Sequence, residues 1–180
     1  MAIQIGFASV LGPPGAALAS GYITAINGGS ALDIFKSAII TLATAEAFAG
    51  VGSLTDGHFP ASNGGLNAAN QTPLQWFGSL KHLANVVGHA AIGCASSAAG
   101  GGSCQAGALS AGLGAAITPG IPAEFGKVGG LVVTAAVGGT ASVVGGGKFA
   151  NGAVTAAYGY MFNQTAGGIG SPGDGGIPGT

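Results

Sequence analysis

Histidines, cysteines and acids are where side-chain chemistry begins, and this chain has three His, two Cys and five acidic residues among 180. His82, His89, Cys94 and Cys104 fall within one short stretch. Their spacing matches no standard zinc pattern, and there is no Cys-x-x-Cys pair. On a helix, His82 and His89 would lie two turns apart on one side, roughly 10 Å, too far to share an ion. No metal or other cofactor is therefore expected, and both imidazoles are expected to face solvent or a polar partner. Cys94 and Cys104 flank a Gly-rich turn and can approach within bonding distance. A bridge there would add roughly 2–3 kcal/mol in an oxidising compartment. In a reducing one the pair would be two small buried apolar residues. Both readings stay open.

Two other constellations fail on inspection. Asp56 and His58 sit in a loop with no nucleophile elbow nearby. The stretch "GGGKF" (145–149) looks like the end of a phosphate-binding loop, but that pattern needs Gly where Ser142 stands and Ser or Thr where Phe149 stands. Nothing nominates an acid–base pair, so the chain is read as a non-enzyme.

The composition points the same way. Hydrophobic residues make up 48% and charged residues only 5%, against about 25% charged in ordinary domains. All four basic residues are lysines, namely Lys36, Lys81, Lys127 and Lys148. Scattered and without arginine, they cannot displace counterions from phosphates, which argues against nucleic acid. The apolar character comes mainly from Ala and Val diluted by 38 glycines. Such residues bury little area at roughly 25 cal/mol per Å², so they build a weak private core and favour close packing of backbones. The opening "MAIQIGFASVLGPPG" lacks a basic n-region and does not read as a secretory signal.

The elements expected to carry these residues are mainly α: several short Gly/Ala-rich apolar helices, suited to membrane insertion, with a long polar loop and a disordered tail. Residues 1–27 form an uncharged block broken by Pro13 and Pro14. "NGGS" (27–30) turns into a helix whose start carries Ser30 and Asp33 as a capping-box relative. Leu32, Phe35, Ile39 and Leu42 fall at helical spacing through Ala49, with Gly50 and Gly52 as the stop. A polar loop covers 52–75. The next helix should start near Ser79, with Leu80, Leu83, Val87, Ala90 and Cys94 as its apolar stripe and Lys81, His82, Asn85 and His89 off it. A third short helix covers 105–118. Residues 128–147 hold no charge over about the span of a hydrocarbon core. At intervals of four they place Gly130, Thr134, Gly138, Ser142 and Gly146 in one small-xxx-small line, which suits close helix approach, self-association included. A buried strand or a tight soluble helix pair is the competing reading there. Residues 149–162 should form a last amphipathic helix, with Phe149, Tyr158, Tyr160 and Phe162 at headgroup level beside an interfacial Lys148. The organisation is one module, 1–163, and a disordered Gly/Pro-rich tail, 164–180.

The segments "SLKHLANVVGHAAIGCASSAAGGGSCQAGALSAGLGAAITP" (79–119) and "VVGGTASVVGGGKFANGAVTAAYGYMFN" (136–163) resemble the C-terminal (pre-toxin and toxin) region of bacterial polymorphic toxins of the Rhs-repeat and filamentous-haemagglutinin types. The specific pieces are His82, Asn85, His89, the Cys94 to Cys104 turn, and the block containing Lys148, Phe149, Asn151 and Gly152. The resemblance implies a secreted effector delivered into a target cell, with an Rhs cage and a cognate immunity protein as partners. Combined with the composition, it yields the expectation of a membrane-acting, pore-forming or depolarising toxin module that works by insertion into the target bilayer. The alternative is an inert pre-toxin spacer or translocation module whose enzymatic toxin is missing from this chain.

Overall fold

The computed structural model describes residues 2–57, 59 and 66–164, which are helical with no strand among them. Helices α1 (Ala2–Ile26), α2 (Ala31–Leu54), α3 (Pro73–Trp76), α4 (Leu80–Ala99), α5 (Cys104–Ile117), α6 (Gly126–Val144) and α7 (Phe149–Gln164) follow in order. Two short 3-10 turns, Thr118–Gly120 and Ala123–Phe125, lead from α5 to α6. The long helices pair as three hairpins, α1–α2, α4–α5 and α6–α7, and α7 also packs against α1, α2 and α5. The final helix is thus central. The expected surface amphipathic helix is corrected here: Tyr158, Met161 and Phe162 are buried, and only Phe149 of the larger aromatics on α7 is exposed.

Local chemistry accounts for the helix ends. Ser30 Oγ accepts from the Asp33 N–H (3.2 Å) while Asp33 accepts from the Ser30 N–H (3.0 Å), a complete capping box. Thr72 and Gln75 form a second one for α3, so Pro73 opens a helix inside the expected loop. Ser79 accepts from the His82 N–H and starts α4 where the sequence placed it. The glycine stop at 50 and 52 does not operate. The helix continues to Leu54, Gly52 is buried within it, and Thr55 closes it by donating to Val51. The block 1–27 is broken beside the proline pair, as expected. The backbone kinks at Gly12 (φ 64°), and Pro13 and Pro14 then sit at the start of the second segment, where no N–H is required. His58 and the tail from residue 165 lie outside the described residues.

All three hairpins turn in the same way. Gly28, Gly101 and Gly146 hold φ of 79°, 78° and 78°, the left-handed conformation that glycine adopts without strain. The following Gly29, Gly102 and Gly147 donate back to the carbonyls of Thr24, Ser97 and Ser142 at 2.9, 2.7 and 2.7 Å. This is the Schellman closure. Gly146 accordingly lies past the end of α6 in an exposed turn, and the small-residue line on the helix ends at Ser142.

The likeness of the second and third hairpins extends into their helices. A methyl on Gly93 would collide with the Gly107 carbonyl and Ala111; a methyl on Gly138 would collide with Ala156 and approach the Gly152 carbonyl. Gly107 lies against Ser97, and Gly152 against Ser142. Gly93, Ser97 and Gly107 therefore stand to one another as Gly138, Ser142 and Gly152 do, an internal repeat built on contact between backbones. In the second hairpin a disulfide joins Cys94 to Cys104, with the Cα atoms 3.9 Å apart. At the matching place in the third, the Phe149 ring covers Gly139.

Candidate functional site

Many large apolar side chains line the outside of this molecule, while its interior mixes small and polar residues with Trp76, Phe48, Met161, Tyr158 and Phe162. Helix α4 shows the inversion most plainly. Its expected apolar stripe faces out, with Leu80, Leu83 and Val87 exposed by 86%, 59% and 59%. Its expected polar face is inside, with His82, Asn85 and His89 exposed by 7%, 0% and 1%. Of the two expected alternatives, solvent or a polar partner, solvent is excluded for both imidazoles, and His82 meets a polar partner in the Gly78 N–H. The reason is steric: Gly93 lets α5 approach at backbone distance, and Gly159 on α7 leaves the space that His89 fills.

Helices α2 and α6 repeat the pattern. Leu32, Phe35 and Ile39 are exposed on α2, with Ala45 and Phe48 turned inward. On α6, Val128, Val132, Val143 and Val144 are exposed, while Gly130, Thr134, Gly138 and Ser142 are buried. The small-residue line of α6 is occupied within the chain: Gly130 meets Tyr160, and Gly138 meets Gly152 and Ala156, all on α7. That face is not offered to a second molecule. Among the described residues, Leu131 is the one buried leucine. Two helices there, α2 and α6, are long and apolar enough to cross a membrane. Only 17% of the most apolar window of α2 is buried inside the protein, and 44% of that of α6, so much of both lies uncovered.

The inward polar residues of α4 form a cluster with the end of α2 and with α3. The Trp76 Nε1–H donates to the Thr55 carbonyl (2.9 Å), and the Asn85 amide donates to Thr55 Oγ1 (2.8 Å). His82 Nδ1 accepts from the Gly78 N–H (3.0 Å), its ring lies between Trp76 and Phe77, and burial lowers its pKa. The His89 ring stacks on Phe48 at 4.6 Å. At the surface Lys81 pairs with Asp56. These contacts fix α2, α3 and α4 to each other. Among the described residues no group of three or more His, Cys, Asp or Glu side chains is placed to hold a metal ion.

The other residues singled out by the resemblance lie elsewhere, at the α6–α7 turn. The Lys148 carbonyl accepts from Ser142 Oγ (3.0 Å), and Gly152 forms the helix crossing described above. Lys148, Asn151 and Gly152 border an open cavity of about 730 Å³ between the hairpins, which Ser and Thr side chains of α1 and α2 wall on the opposite side. Neither this cavity nor the internal repeat was anticipated. The recurrence of Gly-Gly with a Ser or Thr four residues before its first glycine, at 28–29, 101–102 and 146–147, was the signal available for the repeat. Compared with protein-family models, curated proteins and solved structures, the chain finds no match.

Proposed function

We propose that this chain is a membrane-inserting module that acts on a target bilayer without covalent chemistry, with α2 and α6 as the spanning helices. One observation carries the reading: Leu32, Phe35 and Ile39 on α2, and Val128, Val132 and Val144 on α6, face outward while the buried positions of α5 and α6 are mostly glycine, alanine and hydroxyl residues. In water this arrangement forgoes the gain from burying large side chains. In lipid it forgoes nothing, because packing between helices there rests on small residues and hydroxyl bonds. The bonds are present. Thr41 Oγ1 donates to Ser20 Oγ (2.8 Å), and the Thr24 hydroxyl lies 2.9 Å from that of Ser37, all between α1 and α2. The resemblance to polymorphic-toxin C-terminal regions supplies the context, an effector delivered into a target cell and depolarising its membrane.

The test is leakage of a trapped dye from phospholipid vesicles. The chain should release the dye, and a triple variant, Leu32→Ser with Phe35→Ser and Ile39→Ser, should not, while keeping the melting temperature of the parent. Intact vesicles at saturating protein would overturn the reading. A second reading, the inert pre-toxin spacer, is favoured by the glycine crossings and the disulfide, which lock two hairpins already in the closed form. It requires that vesicles stay sealed and that export of the chain to the periplasm leave membrane potential unchanged.

A further inference from the structure

The outer half of the α1–α2 hairpin stands apart from the other two hairpins. From Tyr22 to Thr44 no residue is buried, and Ile23, Ile40, Thr41 and Thr44 border the open cavity between the hairpins. Large apolar side chains flank this half on both outer sides. Gly21 of α1 lies against Ile34 and Ala38 of α2, and Ser20 and Thr24 face Thr41 and Ser37. Helical spacing turns Leu18, Tyr22 and Ile26 away from that seam, and they are exposed by 62%, 58% and 61%. Leu32, Phe35 and Ile39 are exposed on the far side of α2.

Polar groups in the same region are closed on themselves. Thr41 Oγ1 donates to Ser20 Oγ (2.8 Å), Ser37 to the Ile34 carbonyl (3.0 Å) and Thr44 to the Ile40 carbonyl (2.7 Å). At the tip every backbone N–H from Asn27 to Ser30 has an acceptor, in Ile23, Ala25, Thr24 and Asp33 in turn. A tip facing water has no need of this closure, whereas hydrocarbon demands it. No charged side chain precedes Asp33, and Asp33 and Lys36, one turn apart, have opposite sign.

We infer that α1 and α2 enter the bilayer together as a helical hairpin, with α1 meeting hydrocarbon through Leu18, Tyr22 and Ile26. This rests on the reading that α2 inserts, and adds α1 to it. By length and apolarity α1 is not a spanning helix of its own. Its kink at Gly12 leaves residues 13–26 as a straight part of about 21 Å, short of a hydrocarbon core of about 30 Å. Paired along α2, it has no need to span alone. Other occupants fit the surface less well. A second copy docked on one outer side would leave the opposite side bare. Residues 165–180 offer two isoleucines and no aromatic side chain to cover it.

The experiment uses the full chain with its disulfide joined. Fluorophores on Leu18→Cys and Tyr22→Cys of α1 are compared with one on Ile39→Cys of α2, in buffer and with phosphatidylcholine vesicles whose acyl chains are brominated. The two α1 labels should lose as much fluorescence to the vesicles as the α2 label does. Leu18→Ser with Tyr22→Ser and Ile26→Ser, all at exposed positions, should keep the melting temperature and bind the vesicles about tenfold or more weakly. Quenching at position 39 without quenching at 18 and 22 overturns the inference and leaves the insertion of α2 standing. No quenching at any of the three overturns both. The inference also falls if the serine variant binds like the parent, or if the α1 labels are already shielded from iodide without vesicles, by a second copy or by residues 165–180.

Discussion

At Gly93 and Gly138 the hydrogen in place of a side chain is what allows two helix backbones to touch. Gly93→Ala gains up to about 1 kcal/mol of helix preference, but its methyl would press on the Gly107 carbonyl, which is backbone and cannot rotate away. Overpacking of this kind costs about 1–3 kcal/mol, and a chain of this size loses roughly 2–4 °C in melting temperature per kcal/mol. Thermal melts should therefore show Gly93→Ala and Gly138→Ala below the parent, and Gly50→Ala, where nothing lies within 4 Å, at or above it. His82 gives a prediction in pH. Burial lowers its pKa, so the unfolded chain, titrating near about 6.5, takes up the proton more readily than the folded one. Stability conferred by the neutral ring is then full above about 6.5 and is lost as pH falls toward the folded value. Melts should drop from pH 7 to pH 5, and His82→Gln, whose carbonyl can still accept from Gly78, should flatten that drop.

Each hairpin is the unit of organisation at the next scale, and two of them solve one problem differently. The α4–α5 hairpin is tied by Cys94–Cys104, and the α6–α7 hairpin is closed by Phe149 lying over Gly139. Replacing both cysteines by serine should cost about 2–3 kcal/mol, read as a lower denaturation midpoint that reductant no longer shifts. Most helix boundaries were legible because caps are local: Ser30, Ser79 and the Gly-rich stretch 98–104 each announce an end through their own backbone needs. Gly50 and Gly52 misled because packing against neighbouring helices outweighs a glycine penalty of about 1 kcal/mol. The inward face of α4 was not legible. Helical spacing groups Leu80 with Leu83 and Val87 and groups His82 with Asn85 and His89, but it does not say which group turns inward. The assumption that larger apolar groups do so holds only when the chain has room for them inside.

The molecule as a whole is a bundle whose interior is made of glycine, alanine, hydroxyls and a few aromatics, wrapped in leucine, isoleucine, valine and phenylalanine. Its net charge of −1 from nine charged residues other than histidine provides little hydration for that surface. The central claim is that this outer shell enters hydrocarbon, and depth-dependent quenching tests it most directly. With the native cysteines joined, a single added thiol can carry a fluorophore, using Phe35→Cys, Ile39→Cys and Val132→Cys in separate chains. Mixed with vesicles whose acyl chains are brominated, all three labels should be strongly quenched, and a label placed through Ser53→Cys near the end of α2 should be quenched less. If the three outward labels stay as accessible to aqueous iodide with vesicles as without them, the shell remains in water and the account is wrong.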